Sequence, residues 1–324
     1  MAEPANDGAE DVRESLWGGL RYGMRSLDQY IERCSINSLK ELANRLWETV
    51  DRIRFMLIIP ERFLIHQQIM LRQLSKHLWA ALKTETVKPF DSLTDDEKKA
   101  YEAALKESVE KDAGDMEWEK LFDEWTRMAI QEKPRVIEIH KMEEAYKSLL
   151  YSGLIWAWIS FEVFASDLWE AVVNMSAGKV RSRILRSVSA ARPTIKVDYI
   201  AKYNLDLRGR LGTVMRDGCD FTSLEGIQKA YAVVFPKSQS ISDALGKTEL
   251  MQLEASRHLI VHRSGIVDDE FLRKTNLKLK KGHELPITDK QVLDYCNLTV
   301  EVALALLVAA ESLVGRKSPK KQTK

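Results

Sequence analysis

The sequence predicts an all-α protein, and three observations carry that prediction. Apolar residues recur at spacings of three and four, as at Leu39, Leu42, Leu46, Val50 and Ile53; that repeat lines one face of a helix. Thr94-Asp-Asp-Glu97 and Thr288-Asp-Lys-Gln291 read as capping boxes. In such a box the threonine oxygen and the Glu or Gln side chain each satisfy a free amide of the first turn. Pro60, Gly114, Pro134 and Gly315 fall where periodic runs stop, as residues that break or terminate helices should.

Taken in order, residues 1–14 are acidic and rich in small side chains, so this stretch is expected to be disordered. It lacks the basic-then-apolar pattern of a secretory leader. From Ser15 to about Leu82 the helical repeat holds, broken at Pro60 and resumed over Phe63–Leu82. Trp47 and Trp79 are expected in the core. Lys83–Leu93, with Pro89, reads as a loop. The first capping box opens a helix over Lys98–Lys111 that Gly114 ends, and a further amphipathic run carries Trp118, Leu121, Trp125 and Met128 as far as Pro134. These segments form a helical N-terminal unit over 15–135, to which no chemistry is assigned.

A second helical unit is expected over 136–315. It begins with a long helix, about Val136–Met175, whose middle, Leu154–Phe161, is apolar all round and so should be buried on every side. Glu162 sits in that middle, where an unpartnered carboxylate is costly. Residues 217–247 read as short helices and loops, then a helix over Thr248–His262, then an irregular connection over Phe271–Pro286. The second capping box opens a final helix with Val292, Tyr295, Thr299, Val302, Leu306 and Leu313 on one face, stopped by Gly315. The basic tail 316–324 is expected to be disordered.

Composition narrows the function classes. Charged residues make up 30% of the chain and the net charge is +1, so nothing global points to nucleic acid or membrane and any basic footprint must be local. Cys34, Cys219 and Cys296 are scattered and odd in number; this excludes a disulfide framework and suits a reducing compartment. The longest apolar stretches, near Leu154–Phe161 and Val302–Ala310, read as too short to span a bilayer. The expectation is a soluble cytoplasmic protein without a membrane partner. No Gly-rich phosphate loop and no Cys/His metal spacing is present, so neither cofactor nor metal is expected. Between Ala171 and Val197 there is no acidic residue, while Lys179, Arg181, Arg183, Arg186, Arg192 and Lys196 crowd the window; Arg208, Arg210 and Arg216 follow. Lys179, Arg181, Arg183 and Arg186 are the candidate contacts to a phosphate backbone. No aromatic residue interleaves them, so base stacking is not indicated.

The most informative stretch is Glu254-Ala-Ser-Arg257-His258-Leu-Ile-Val-His262-Arg-Ser-Gly265. At about 100° per residue from Leu250, the residues Gln252, Ser256 and Arg263 share roughly 200–240°, a solvent face. Glu254, Arg257, His258 and His262 share the opposite arc with Leu250, Met251 and Val261. Charged and titratable groups in an apolar stripe are either a satisfied core network or a site.

Arg257, four intervening residues and His262, with polar His258 directly after the arginine, resembles the signature of the HEPN superfamily. The run His262-Arg-Ser-Gly265-Ile-Val-Asp268 is similar to the commoner form of that motif, and the resemblance extends over about 145–315. It implies a HEPN-like helical bundle over 136–315 and a homodimer formed through 145–315. Many such domains are metal-independent ribonucleases acting on RNA, often with an antitoxin or defence-system partner; others bind nucleotides or proteins without catalysis. A subtype silenced at a tyrosine two residues past the histidine does not fit, because Ser264 stands there. On this resemblance Arg257 meets the phosphate, His262 does acid–base work and His258 orients the site or carries the second proton. Glu254, one turn before His258, would fix its tautomer, and Glu162 on the first helix of the domain would hold Arg257. The alternative is a non-catalytic HEPN module that binds nucleotide or protein.

Overall fold

The computed structural model describes residues 19–85, 90–114, 118–139, 141–176, 178–190, 201, 206 and 209–315, and within its helices it leaves aside the side chains at 19–23, 111–124, 130, 139, 179 and 187–190. The expected disorder of 1–14, the tail 316–324, and Arg192, Lys196 and Arg208 lie outside the described residues. The described chain is all-α. The helices are α1 (Gly19–Arg33), α2 (Asn37–Leu57), α3 (Ile59–Lys83), α4 (Asp95–Gly114), α5 (Trp118–Ile139), α6 (Glu143–Met175) and α7 (Gly178–Ala190). They continue with α8 (Leu211–Arg216), α9 (Leu224–Val234), α10 (Gln239–Leu245), α11 (Thr248–Arg263), α12 (Asp269–Thr275) and α13 (Asp289–Val314). The one β feature among the described residues is an isolated antiparallel bridge between Ile266 and Glu284.

Local sequence accounts for most boundaries. Both capping boxes form: Thr94 and Glu97 open α4, and Thr288 and Gln291 open α13. Pro60 falls in the first turn of α3, where its missing amide costs nothing. Pro134, expected to end a helix, instead lies inside α5, which runs on to Ile139. The adjacent Lys133 is buried and bonded to Glu61 and Tyr146, and this anchor offsets the lost backbone bond. The chain then turns at Lys141, which has a φ of 51°. The expected single helix over 136–175 is therefore two. The irregular connection expected over 271–286 contains α12, whose N-cap Asp268 accepts from the Phe271 amide.

The chain divides into two compact units, 1–57 with 147–324, and Ile58–Tyr146. This differs from the boundary expected near 135. The reason is packing: α1 and α2 lie against α13, burying Met24, Leu27, Tyr30, Leu39, Leu42, Leu46 and Val50. The first two helices complete the bundle begun by the last, and 58–146 is an insertion between them. In the larger unit α6 is the central helix. Trp158, Phe161, Leu168 and Trp169 on it are almost wholly buried. Trp169 Nε1 donates to the Ala230 carbonyl at 3.0 Å and the Tyr231 hydroxyl to the Ala165 carbonyl at 2.8 Å, so the polar tips of these two core aromatics are satisfied.

Burial of α6 is incomplete. Trp156 is 52% exposed and Val163 is half exposed; both line a groove of about 370 Å³ between α2 and α6. The expectation of burial on every side fails because α2 covers only part of that face. α6 and α13 are also long and apolar enough, by length and composition, to cross a membrane, with mean hydropathies of 1.4 and 1.7. This differs from the expectation that no stretch reached that length. In each, 56% of the apolar window is buried within the protein, so much of the apolarity serves the core.

In the inserted unit, α3 packs on α4 and α5. Ile65, Ala80, Leu93, Ala104 and Ala129 are buried there, beside the Glu61–Lys133 pair. Trp79, expected in the core, is exposed near the end of α3, with Lys83 Nζ 4.7 Å from its ring centroid.

Candidate functional site

The candidate site is built on the C-terminal half of α11. Glu249 in its first turn and His262 and Arg263 in its last match the helix dipole. Ser264 ends the helix in the left-handed region with φ 53°, and Gly265 follows at φ +79° with its amide on the Leu259 carbonyl at 3.2 Å. Glycine is required there twice over. The backbone is left-handed, and a Cβ would stand 2.7 Å from the Tyr151 hydroxyl oxygen. That hydroxyl donates to the Leu285 carbonyl at 3.0 Å, tying the turn to α6 and to the returning chain. Val267 is buried, and Asp268 caps α12 while lying 3.6 Å from Arg263. The Gly265–Asp268 run is thus accounted for by local structure.

The buried face of α11 is Leu250, Leu253, Glu254, Ala255, Ser256, Leu259 and Ile260. This corrects the helical projection on both sides. Ser256, assigned to solvent, is 2% exposed and hydrogen-bonds Tyr295, whose hydroxyl pKa burial pushes up. His258, Val261 and His262, assigned to a buried arc, are exposed. Helices α9, α12 and α13 pack against α11, and their positions decide which side is covered.

The structure brings His258 and His262 together. Their ring centroids are 4.5 Å apart with planes tilted by 46°. Arg257 is half-buried, and its Nε is enclosed without a hydrogen-bond partner among the described residues. Its charge acts on Glu162, though the Glu162 carboxylate takes its hydrogen bond from Trp158 Nε1 at 2.9 Å. Burial raises the Glu162 carboxyl above its ordinary pKa; Trp158 and Arg257 oppose the rise and Asp220 adds to it. Asp220 itself is held below its ordinary value by the Ser223 and Thr222 hydroxyls.

Glu254 does something other than expected. One carboxylate oxygen accepts from the Leu224 amide at 2.8 Å, and the other pairs with Lys274 Nζ at 2.7 Å. It satisfies the first turn of α9, so it is committed away from His258. The proposed tautomer-fixing role is therefore not what its geometry supplies. The reason is directional: Glu254 lies on the buried face of α11 and His258 on the exposed one. Among the described residues no three His, Cys, Asp or Glu side chains are grouped to hold a metal.

The candidate phosphate contacts stand in different surroundings. Arg181 donates to the Asn174 carbonyl at 3.2 Å near the end of α6, a structural use. Arg183 lines a groove with Phe235, Lys237 and Val308, and Arg186 is exposed. Lys179 lies on α7, with its side chain outside the described residues. Arg216 is taken up by Asp167 at 2.9 Å and Glu170 at 3.0 Å.

Tyr151, Trp158, Asp220 and Lys274 are contributors the sequence reading missed. Trp158 stands four residues before Glu162 on one helix, a spacing that makes neighbours, and was findable. Asp220 and Lys274 approach only through tertiary packing. No family model, curated protein or solved structure matches the chain.

Proposed function

We propose that this protein is a metal-independent endoribonuclease of the HEPN type, working from the exposed end of α11. The observation that supports this most is the pair His258 and His262, both open to solvent with centroids 4.5 Å apart and next to Arg257. An imidazole can both accept and donate a proton, so two of them can share the base and acid steps. The base takes the proton of the ribose 2′-hydroxyl as its oxygen attacks the adjacent phosphorus. The acid protonates the departing 5′-oxygen, leaving a 2′,3′-cyclic phosphate. Arg257 carries a permanent charge that offsets the negative charge gathered on the phosphoryl oxygens. Glu162 acts as a positioning residue through its field on that guanidinium. Exposure of both rings suits a long polymer substrate, which needs an open surface more than a closed pocket. Arg183 and Arg186, three apart on α7, share a face and are the better phosphate contacts of the basic window.

The test is cleavage of an RNA and of a DNA strand of matching sequence, in excess EDTA, by the wild-type chain and by His258→Ala and His262→Ala. Each substitution is expected to lower RNA cleavage by about 100-fold or more with circular dichroism unchanged, because both side chains are exposed. The DNA strand is expected to stay intact. Undiminished cleavage by His262→Ala refutes the assignment, and so does activity that EDTA abolishes and zinc restores.

One observation favours a second reading, a non-catalytic module that binds nucleotide or protein. With Glu254 committed to Leu224 and Lys274, no carboxylate on α11 orients either imidazole. On that reading the chain retains RNA in a filter-binding assay and releases it uncut.

A further inference from the structure

The inserted unit carries a helix turned the unusual way round. On α3 the cations Arg72 and Lys76 are half-buried, while Leu71, Leu74 and Leu78 are exposed. The Arg72 guanidinium lies 6.0 Å from the Trp125 ring centroid of α5, and Lys83 pairs with Glu107 of α4. Arg72 and Lys83 therefore make contacts within their own unit, and the apolar side is left outward. Ile59, Phe63, Met70, Leu71, Leu74, Leu78 and Leu82 are each 54–71% exposed. They run the whole length of a 25-residue helix, about 37 Å. No Lys, Arg, Asp or Glu interrupts the stripe; Gln67 and His77 are its polar members. At roughly 100 Å² for each exposed apolar side chain the stripe offers about 700 Å², above the usual patch on a monomer and near the ~800 Å² per partner of a stable interface.

The order of the stripe identifies its occupant. Read from either end, positions 59, 63, 67, 70, 71, 74, 78 and 82 show the same succession of spacings. If a second α3 is laid antiparallel, Ile59 meets Leu82, Phe63 meets Leu78, Gln67 meets Leu74 and Met70 meets Leu71. Each contact then occurs twice about a two-fold axis between Met70 and Leu71. That reciprocity is what an isologous interface requires. Both polar positions fall opposite apolar ones, Gln67 against Leu74 and His77 against Leu64, and polar residues at such a seam fix register and orientation. A lipid surface fits less well: a helix that lies on anionic lipid presents cations toward the headgroups, whereas on α3 Arg72 and Lys76 are half-buried and the exposed Arg62 and Lys83 lie off the stripe.

We propose that the chain associates with a second copy of itself through α3, as an antiparallel helix pair. This places self-association in the 58–146 unit rather than in the 145–315 region, and it stands independently of the ribonuclease reading. The full-length chain is followed by sedimentation over a range of micromolar concentrations, beside a Leu71→Glu and Leu74→Glu double variant. Both substituted positions are exposed, so the variant is expected to keep the wild-type circular dichroism. Wild type is expected to sediment as a dimer and the variant as a monomer, with self-affinity lowered at least about 100-fold. Register is read by disulfide trapping in a Cys219→Ser background, since Cys34 and Cys296 are buried. A mixture of Phe63→Cys and Leu78→Cys chains is expected to cross-link far more than either alone. A wild-type chain that stays monomeric overturns the proposal, whether or not it binds phosphatidylserine vesicles. So does a dimer untouched by the double variant, or a Phe63→Cys chain that links to itself as readily as to Leu78→Cys.

Discussion

Glu254→Ala is the substitution in which the structure departs most from the residue pattern. In the fold Glu254 is 9% exposed, with its two oxygens on the Leu224 amide and on Lys274. Truncation leaves the Leu224 amide buried without an acceptor, which costs about 1–3 kcal/mol. It also removes a negative charge from the N-terminus of α9, about 0.3–1 kcal/mol. The Lys274 side chain is 41% exposed, so loss of that pair adds at most about 1 kcal/mol. The expected destabilisation is about 1–5 kcal/mol. Glu254→Gln keeps an acceptor for Leu224 and forfeits only the charge, so it should cost about 1 kcal/mol. Urea unfolding followed by tryptophan fluorescence reads the difference, since Trp158 and Trp169 are buried in the same unit. Unchanged stability in Glu254→Ala refutes the reasoning, and so does a Gln variant as unstable as the Ala variant. RNA cleavage lost without any loss of stability would return Glu254 to the role of orienting His258.

Gly265→Ala combines a left-handed backbone, about 1–2 kcal/mol, with a Cβ 2.7 Å from Tyr151, another ~1–3 kcal/mol of overpacking; thermal melting should show the loss, and an unshifted midpoint counts against the pinned turn. In the inserted unit, Lys133→Met strands the buried Glu61 carboxylate and should cost about 3–5 kcal/mol, much of it recovered when Glu61→Gln is added; a double variant no better than the single one refutes the pairing. The raised pKa of Glu162 means that the folded chain holds this proton better than the unfolded one. Its contribution to stability is present below the ordinary carboxylate range and lost as pH rises through the folded value. Glu162→Gln cannot ionise and keeps an acceptor for Trp158, so it should gain on wild type as pH rises and converge with it in acid. A stability gap independent of pH would contradict this.

The sequence read well wherever the determining interactions are local. Capping boxes at Thr94 and Thr288 need only their own four residues, and they formed. The break at Pro60 and the stop at Gly315 follow from the covalent geometry of a proline ring and from what ends a helix. The position of α11 was legible too, because its charge placement and its Gly265 terminus are properties of consecutive residues. Pro134 was misread, since a local rule was outweighed by a distant partner, the buried Glu61 that holds Lys133 in place.

The faces of the helices were decided elsewhere. α11 has polar and apolar residues on nearly every side, so its own sequence does not say which side is covered; α9, α12 and α13 settle that by packing on Ser256 and Ile260 rather than on His258 and His262. The same holds for Glu254, whose acceptor role depends on the Leu224 amide thirty positions away. The division into units turned on long-range packing as well. Leu39, Leu42 and Leu46 announce an apolar stripe, but only the approach of α13 makes it part of the larger bundle. By itself the sequence determined that the chain is helical, where several helices start and stop, and that Arg257, His258 and His262 gather near the end of α11. Tertiary structure alone decided which of those residues meet solvent, because burial is a property of neighbours that the chain brings together from far apart.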